Sequence, residues 1–219
     1  MPTVTRQTAP AAPRKRDRDT STRALLNAGI EAFADYGYDA ATTRDIAARA
    51  GLNEQLITRY FGGKAGLLVA IYEDFLVRQH DVQVYAAAAP ASGVQAEIEA
   101  FLLAKHAHFR ETHKLVLVLV PRLLIDAETR EQIDMALLER ATTILTERLI
   151  ALQRQGLIRA DVDVVAMGDS IAFQSFGASF IAPAVRGTPE SYIIAQLKGF
   201  ARVVARGVAP DQPACHNPS

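Results

Sequence analysis

The sequence predicts an all-α protein: a small N-terminal three-helix head followed by a larger C-terminal helical bundle, about nine helices in all. Three observations carry this. From Thr20 onward apolar residues recur at three- and four-residue spacing almost throughout. No stretch alternates apolar and polar residues as a half-buried strand does. Glycine and proline fall where helices of ordinary length should stop.

The elements follow in order. Leu25, Ala28, Ala32 and Phe33 mark one face of a first helix, and Gly37 stops it. Thr42, three residues before Asp45, opens a short second helix in the manner of a capping box. Gly51 breaks it, and Asn53 caps a third helix ending near Phe61. Gly62 and Gly63 break again, and a long helix is expected from Lys64 to Ala87. Ser92 with Gln95 predicts a capped start for the next, ending near His113. The apolar segment Leu115 to Ile125 contains Pro121, which should kink or end it. A helix from Glu128 to Gln155 stops at Gly156, and residues 156–161 form a loop. The next begins at Asp161 or Asp163 and runs to Ile181, with Pro183 as its end. Thr188 as cap and Pro189 at the first helical position open the last helix, through Val208. The expected organisation is a disordered basic arm over 1–19, a head over 20–66, a bundle over 67–208 and a frayed tail over 209–219.

Composition narrows the function classes. The chain has 219 residues, 49% of them hydrophobic, with 24 basic and 24 acidic side chains. That much apolar content at zero net charge excludes a fully disordered chain. Cys215 is the only cysteine, so no intrachain disulfide and no cysteine zinc site is available. No apolar run is expected to reach the roughly 18 residues of a membrane helix, and the first 23 residues are too polar for a secretory signal. A cytoplasmic protein without membrane partners is expected. The net charge conceals a division: residues 1–64 hold ten basic and seven acidic residues, net +3, and the remainder is net −3. The basic excess sits where a polyanion would bind.

The informative stretch is Thr42 to Lys64. Two short helices joined through Ala50-Gly51-Leu52-Asn53 form the helix-turn-helix pattern, in which the second helix enters the DNA major groove. Ile46, Ala47 and Ala50 face Leu52, Ile57 and Phe61. Glu54, Gln55, Thr58 and Arg59 point outward. The run Thr42-Thr43-Arg44-Asp45-Ile46-Ala47, the Ala50-Gly51 turn, the Tyr60-Phe61 pair and Lys64 three residues later, together with Phe33 and Gly37, resemble the N-terminal domain of the TetR family of transcriptional regulators over residues 22–68.

The resemblance implies a DNA-facing set of Thr42, Thr43, Arg44, Asn53, Glu54, Gln55, Thr58, Arg59, Tyr60 and Lys64. Thr42 and Arg44 would touch phosphate, Tyr60 would reach the backbone, and Lys64 would meet phosphate at a helix N-terminus. Two positions depart from the family's usual pattern: Gln55 stands where Gly is usual and Thr58 where Tyr is usual. Gln55 suits a bidentate contact to adenine and Arg59 one to guanine. The basic residues Arg14 to Arg18 are placed to follow the DNA backbone or enter a minor groove.

A small, apolar effector is expected in the bundle, near His106, Arg110, His113, Leu117 and Gln174. His106, Arg110 and His113 share a helix face, but no carboxylate completes a metal set with the histidines, so no metal or cofactor is expected. By resemblance, the last two helices pair with their copies in a homodimer reading a palindromic double-stranded operator. The expected function is a ligand-responsive regulator, acting as a repressor. The alternative is an architectural or partner-docking DNA-binding protein without a small ligand. The sequence has no nucleophile motif and no phosphate loop, so enzymatic activity is not expected.

Overall fold

The computed structural model describes residues 14–77, 80–132 and 135–210. Among these, every regular element is helical. The chain divides into two compact units. One runs to Asp74 and adds Leu117–Ile125; the other takes Phe75–Val116 and Asp126 onward. The first unit therefore extends past the expected boundary at 66 and recruits a segment from mid-chain, which sequence-local signals do not report.

In the first unit, helix α1 spans Arg14–Ala40 with a break at Gly37, where φ is 78° and ψ is 160°. Only glycine adopts that conformation without strain. Arg14–Asp19, expected in a disordered arm, are helical; residues 1–13 lie outside the described residues. Helix α2 spans Thr43–Ala50 and α3 Gln55–Phe61. Helix α4 spans Lys64–Val77. Leu25, Phe33, Ile46, Ile57, Leu67 and Ile71 form the dry interior of the unit. Gly66 has a role that the sequence did not announce: a Cβ there would lie 1.7 Å from the Phe61 carbonyl oxygen, so only glycine lets α4 start this close to the end of α3.

The second unit contains α5 (His80–Ala87), α6 (Val94–Glu111), the start of α7 (His113–Ile125), α8 (Ala127–Gln132), α9 (Met135–Arg154), α10 (Val164–Phe176), a π-turn (Gly177–Ile181), α11 (Ala182–Arg186) and α12 (Glu190–Val208). Its core is built from Ile98, Phe101, Leu102, Leu145, Leu149 and Leu197, all with no exposed surface. The expected helices over 64–87 and 128–155 each comprise two assigned segments, with residues 78–79 and 133–134 outside the described set.

Several local expectations are corrected. Helix α6 starts at Val94 behind Gly93, without a side-chain cap; Gln95 bonds Glu99 rather than closing a box with Ser92. Of the two outcomes expected at Pro121, an end is excluded: α7 continues through Pro121 to Ile125, because losing one N–H bond bends a helix without necessarily ending it. Pro183 sits in the first turn of α11, and Gly187 at φ 61° stops that run instead. Pro189 occupies the cap of α12 rather than its first turn. Asp163 does cap α10, its carboxylate accepting the N–H groups of Val165 and Ala166 at 3.0 Å. The helical run Val164–Arg186 is long and apolar enough to cross a membrane by length and composition, contrary to expectation. Small residues and Asp169 break up its apolar character, which is why it does not read as a continuous apolar run.

Candidate nucleic-acid interface and bundle interior

The helix-turn-helix is fixed by local chemistry. Thr42 caps α2, its hydroxyl oxygen accepting the Asp45 N–H at 3.1 Å while the hydroxyl donates to the Asp45 carboxylate at 2.6 Å. At the other end Gly51 is left-handed, φ 66°. Its N–H reaches the Ala48 carbonyl and the Leu52 N–H reaches Ala47; this is a Schellman closure. The chain then turns to Asn53, whose side-chain oxygen accepts the Gln55 N–H at 2.8 Å and starts α3.

The structure places the ten predicted DNA-facing residues unevenly. Arg44, Gln55, Thr58 and Arg59 are exposed. Thr43 and Glu54 are engaged with each other: the Thr43 hydroxyl donates to the Glu54 carboxylate at 2.6 Å, tying the start of α2 to the start of α3. The Thr42 hydroxyl and the Asn53 carbonyl are already used in caps. Tyr60 is half-buried, edge-on to Phe61, with the Arg18 guanidinium 5.3 Å from its ring centroid. Arg18, assigned to a loose arm by the sequence, thus lies on a helix beside the end of α3.

Lys64 is not an unengaged phosphate ligand. Its ammonium donates to the carbonyls of Asp39 (3.1 Å) and Ala41 (2.8 Å) and lies 4.6 Å from the Tyr38 ring centroid. Two of its three N–H donors are occupied holding the linker between α1 and α2. Arg122, from α7, lies 4.4 Å from the same ring and 3.8 Å from the Asp39 carboxylate. Tyr38 is therefore contacted by two cations, an arrangement that spans over eighty residues of sequence and left no local signal.

In the second unit the expected effector residues also separate. His106 is 5% exposed, and among the described residues neither ring nitrogen has a hydrogen-bond partner. Leaving such a group unpaired costs about 1–3 kcal/mol. Its Nε2 is 4.0 Å from Glu190, which also pairs with Arg110. Burial lowers the His106 pKa; Glu190 opposes that shift and Arg110 adds to it. Arg110 is exposed, so its ion pair is a surface one. His113 packs against Phe180, with ring centroids 5.3 Å apart. Gln174 is half-buried on α10. Leu117 is 41% exposed and belongs to the first unit. Its neighbours Leu115 and Leu119 are buried instead; on a helix, residues two apart face different sides.

Sequence reasoning missed two groups here. Lys105 is partly buried on α6, its ammonium 5.0 Å from the Phe109 ring centroid. Ser175 and Ser179, on α10 and the π-turn, are buried with hydroxyl oxygens that have no hydrogen-bond partner among the described residues. The only advance signal was polar residues on apolar helices. That signal does not say which of them lack partners.

Comparisons with known proteins fit this geometry. The family described as bacterial regulatory proteins, tetR family, matches residues 25–71. The transcriptional dual regulator CecR of Shigella flexneri is 45% identical over 58 residues, 25% of this chain and 26% of that protein. This chain spans about a quarter of the length of the curated relatives it matches. A Rhodococcus sp. protein described as a TetR-family transcriptional regulator superposes with a TM-score of 0.69 at 18% identity, covering 84% of this chain and 98% of that one. The fatty acid degradation regulator FadR of Bacillus halodurans gives 0.67 at 17%, covering 90% and 97%. Those two likenesses show that the fold continues through the bundle. The capped α2, the Gly51 turn and the match to the tetR family of bacterial regulatory proteins fall on the same residues, so the segment 25–71 is similar to the DNA-binding domain of that family.

Proposed function

We propose that the protein is a ligand-responsive repressor that binds a palindromic operator as a homodimer and leaves it when a small molecule binds the bundle. The observation that supports this best is the outer face of α3. Gln55, Thr58 and Arg59 are exposed on a helix whose start is capped and whose end is closed by Gly62, at φ 77°. On this reading Gln55 and Arg59 read base edges, Arg44 and Tyr60 meet phosphate, and Thr43 orients Glu54 at the rim. Thr42, Asn53 and Lys64 act mainly by holding the unit in shape. Arg14 to Arg18 add backbone contacts from the start of α1. The effector biases the dimer between a DNA-competent and an incompetent state by binding one more tightly.

Selection of bound duplexes from a random pool tests the reading. An inverted repeat should be enriched, and Arg59→Ala should relax selection at one base pair per half-site, costing about 1–3 kcal/mol there. Failure to enrich any inverted repeat overturns it.

A further inference from the structure

Lys105 and His106 are neighbours on α6. Phe109 stands four residues after the first and three after the second, so both polar groups flank one ring on the helix surface. Among the described residues Lys105 has no carboxylate partner; its ammonium lies 5.0 Å from the Phe109 ring centroid. His106 is buried, and among the described residues neither ring nitrogen has a hydrogen-bond partner, although Nε2 lies 4.0 Å from the Glu190 carboxylate. The Phe109 ring packs on Phe176 at 5.5 Å and Phe180 at 6.4 Å between centroids, and those two stack at 5.3 Å across the π-turn. π-Turns of this kind are frequent at functional sites. A partly buried ammonium without a carboxylate and a buried imidazole without a hydrogen bond stand beside one aromatic patch, an unusual pairing, since buried polar groups are normally satisfied.

We propose that this patch is the recognition site for an amphipathic organic acid, its carboxylate paired with Lys105, a hydroxyl or carbonyl bonded to His106, and its apolar body on Phe109, Phe176 and Phe180. The inference rests on the ligand-responsive reading above and replaces the expected neutral apolar effector with a monoanion. One unpaired cation matches one negative charge. Burial brings the Lys105 ammonium down to about 8, which leaves it mostly charged at neutral pH and short of a counter-ion. Glu190, close to His106 Nε2, directs the carboxylate to the Lys105 side.

Calorimetric titration of the full chain without DNA tests the site with three probes sharing a ten-carbon tail: decanoate, decanol and decyltrimethylammonium. Decanoate should bind at least about tenfold more tightly than either other probe. That preference should shrink to about twofold or less in Lys105→Gln and persist in Lys105→Arg. Decanoate binding no tighter than decanol, no binding by any probe, or an acid preference that survives Lys105→Gln in a folded protein overturns the proposal. Enrichment of an inverted repeat by the same protein, with no acid preference, removes the acid site and leaves the DNA reading standing. An acid preference without any enriched repeat does the reverse.

Discussion

Lys64 shows how a side chain's chemistry is set by what folds back onto it. Its ammonium, read as a phosphate contact, is bound to two backbone carbonyls of the α1–α2 linker. His108 is a second case. It is 3% exposed, beside Phe75 at 5.2 Å between ring centroids, and its pKa is pushed down to about 4, first by burial and then by the Lys105 charge. An unfolded histidine titrates near 6.5. As pH falls from about 6.5 to about 4, the unfolded chain takes up a proton that the folded chain refuses. Stability should therefore fall with pH in that window, by up to about 3 kcal/mol from this group. His106, shifted the same way, adds to it. Denaturant melts at pH 7 and pH 4.5 should show the loss, and His108→Gln should flatten it. An equally steep loss in that variant would assign the effect elsewhere.

Among the elements, the second unit turns on a buried ion pair between α6 and α9. Glu97 has no exposed surface; it accepts from the Tyr85 hydroxyl and the Ala91 N–H, both at 2.6 Å, and from Arg148 at 3.0 Å. Arg148 also donates to the carbonyls of Tyr85, Ala86 and Ala88, closing the end of α5. Burial, then the Glu97 bond, drives the Tyr85 phenol well above its ordinary pKa, so it stays a neutral donor. Removing one partner of such a pair leaves a buried charge uncompensated. Arg148→Met should cost about 3–5 kcal/mol in chemical denaturation. A loss under about 1 kcal/mol would show that the site relaxes or takes in water. The same scale separates what was legible in the sequence from what was not. The Thr42 cap, the Gly51 turn, the Asn53 cap and the Asp163 cap were readable because each works within a few residues. The Glu97–Arg148 pair spans 51 residues and the Thr43–Glu54 bond spans 11. Neither leaves a spacing rule, and the π-turn does not announce itself through glycine or proline alone. Of the candidate site, the outward residues of α3 were readable from helical spacing. Which of their neighbours were already engaged was not.

For the whole molecule, the remaining question is what covers the outside of the last helices. Phe173 on α10 is 76% exposed, and Val185, Tyr192 and Val203 on α11 and α12 are exposed as well. Large exposed apolar side chains on consecutive helices mark an interaction surface more often than an isolated exposed residue does. Small residues let α10 pack closely: Gly168 comes so close to α9 that a Cβ would lie 2.4 Å from the Thr146 hydroxyl oxygen. A two-fold dimer through this surface would supply two reading heads for an inverted repeat. Phe173→Glu tests the link between surface and function. A buried aromatic anchor of this kind is worth about 2 kcal/mol or more in an interface, so the variant should raise the dimer dissociation constant by at least about thirtyfold in sedimentation experiments. It should remain folded, because the side chain is exposed in the isolated chain. Its affinity for a full inverted repeat should drop towards that for a half-site, while its affinity for a half-site stays unchanged. A variant that stays dimeric moves the interface away from α10. A monomeric variant with undiminished affinity for the full repeat would show instead that the two heads bind independently.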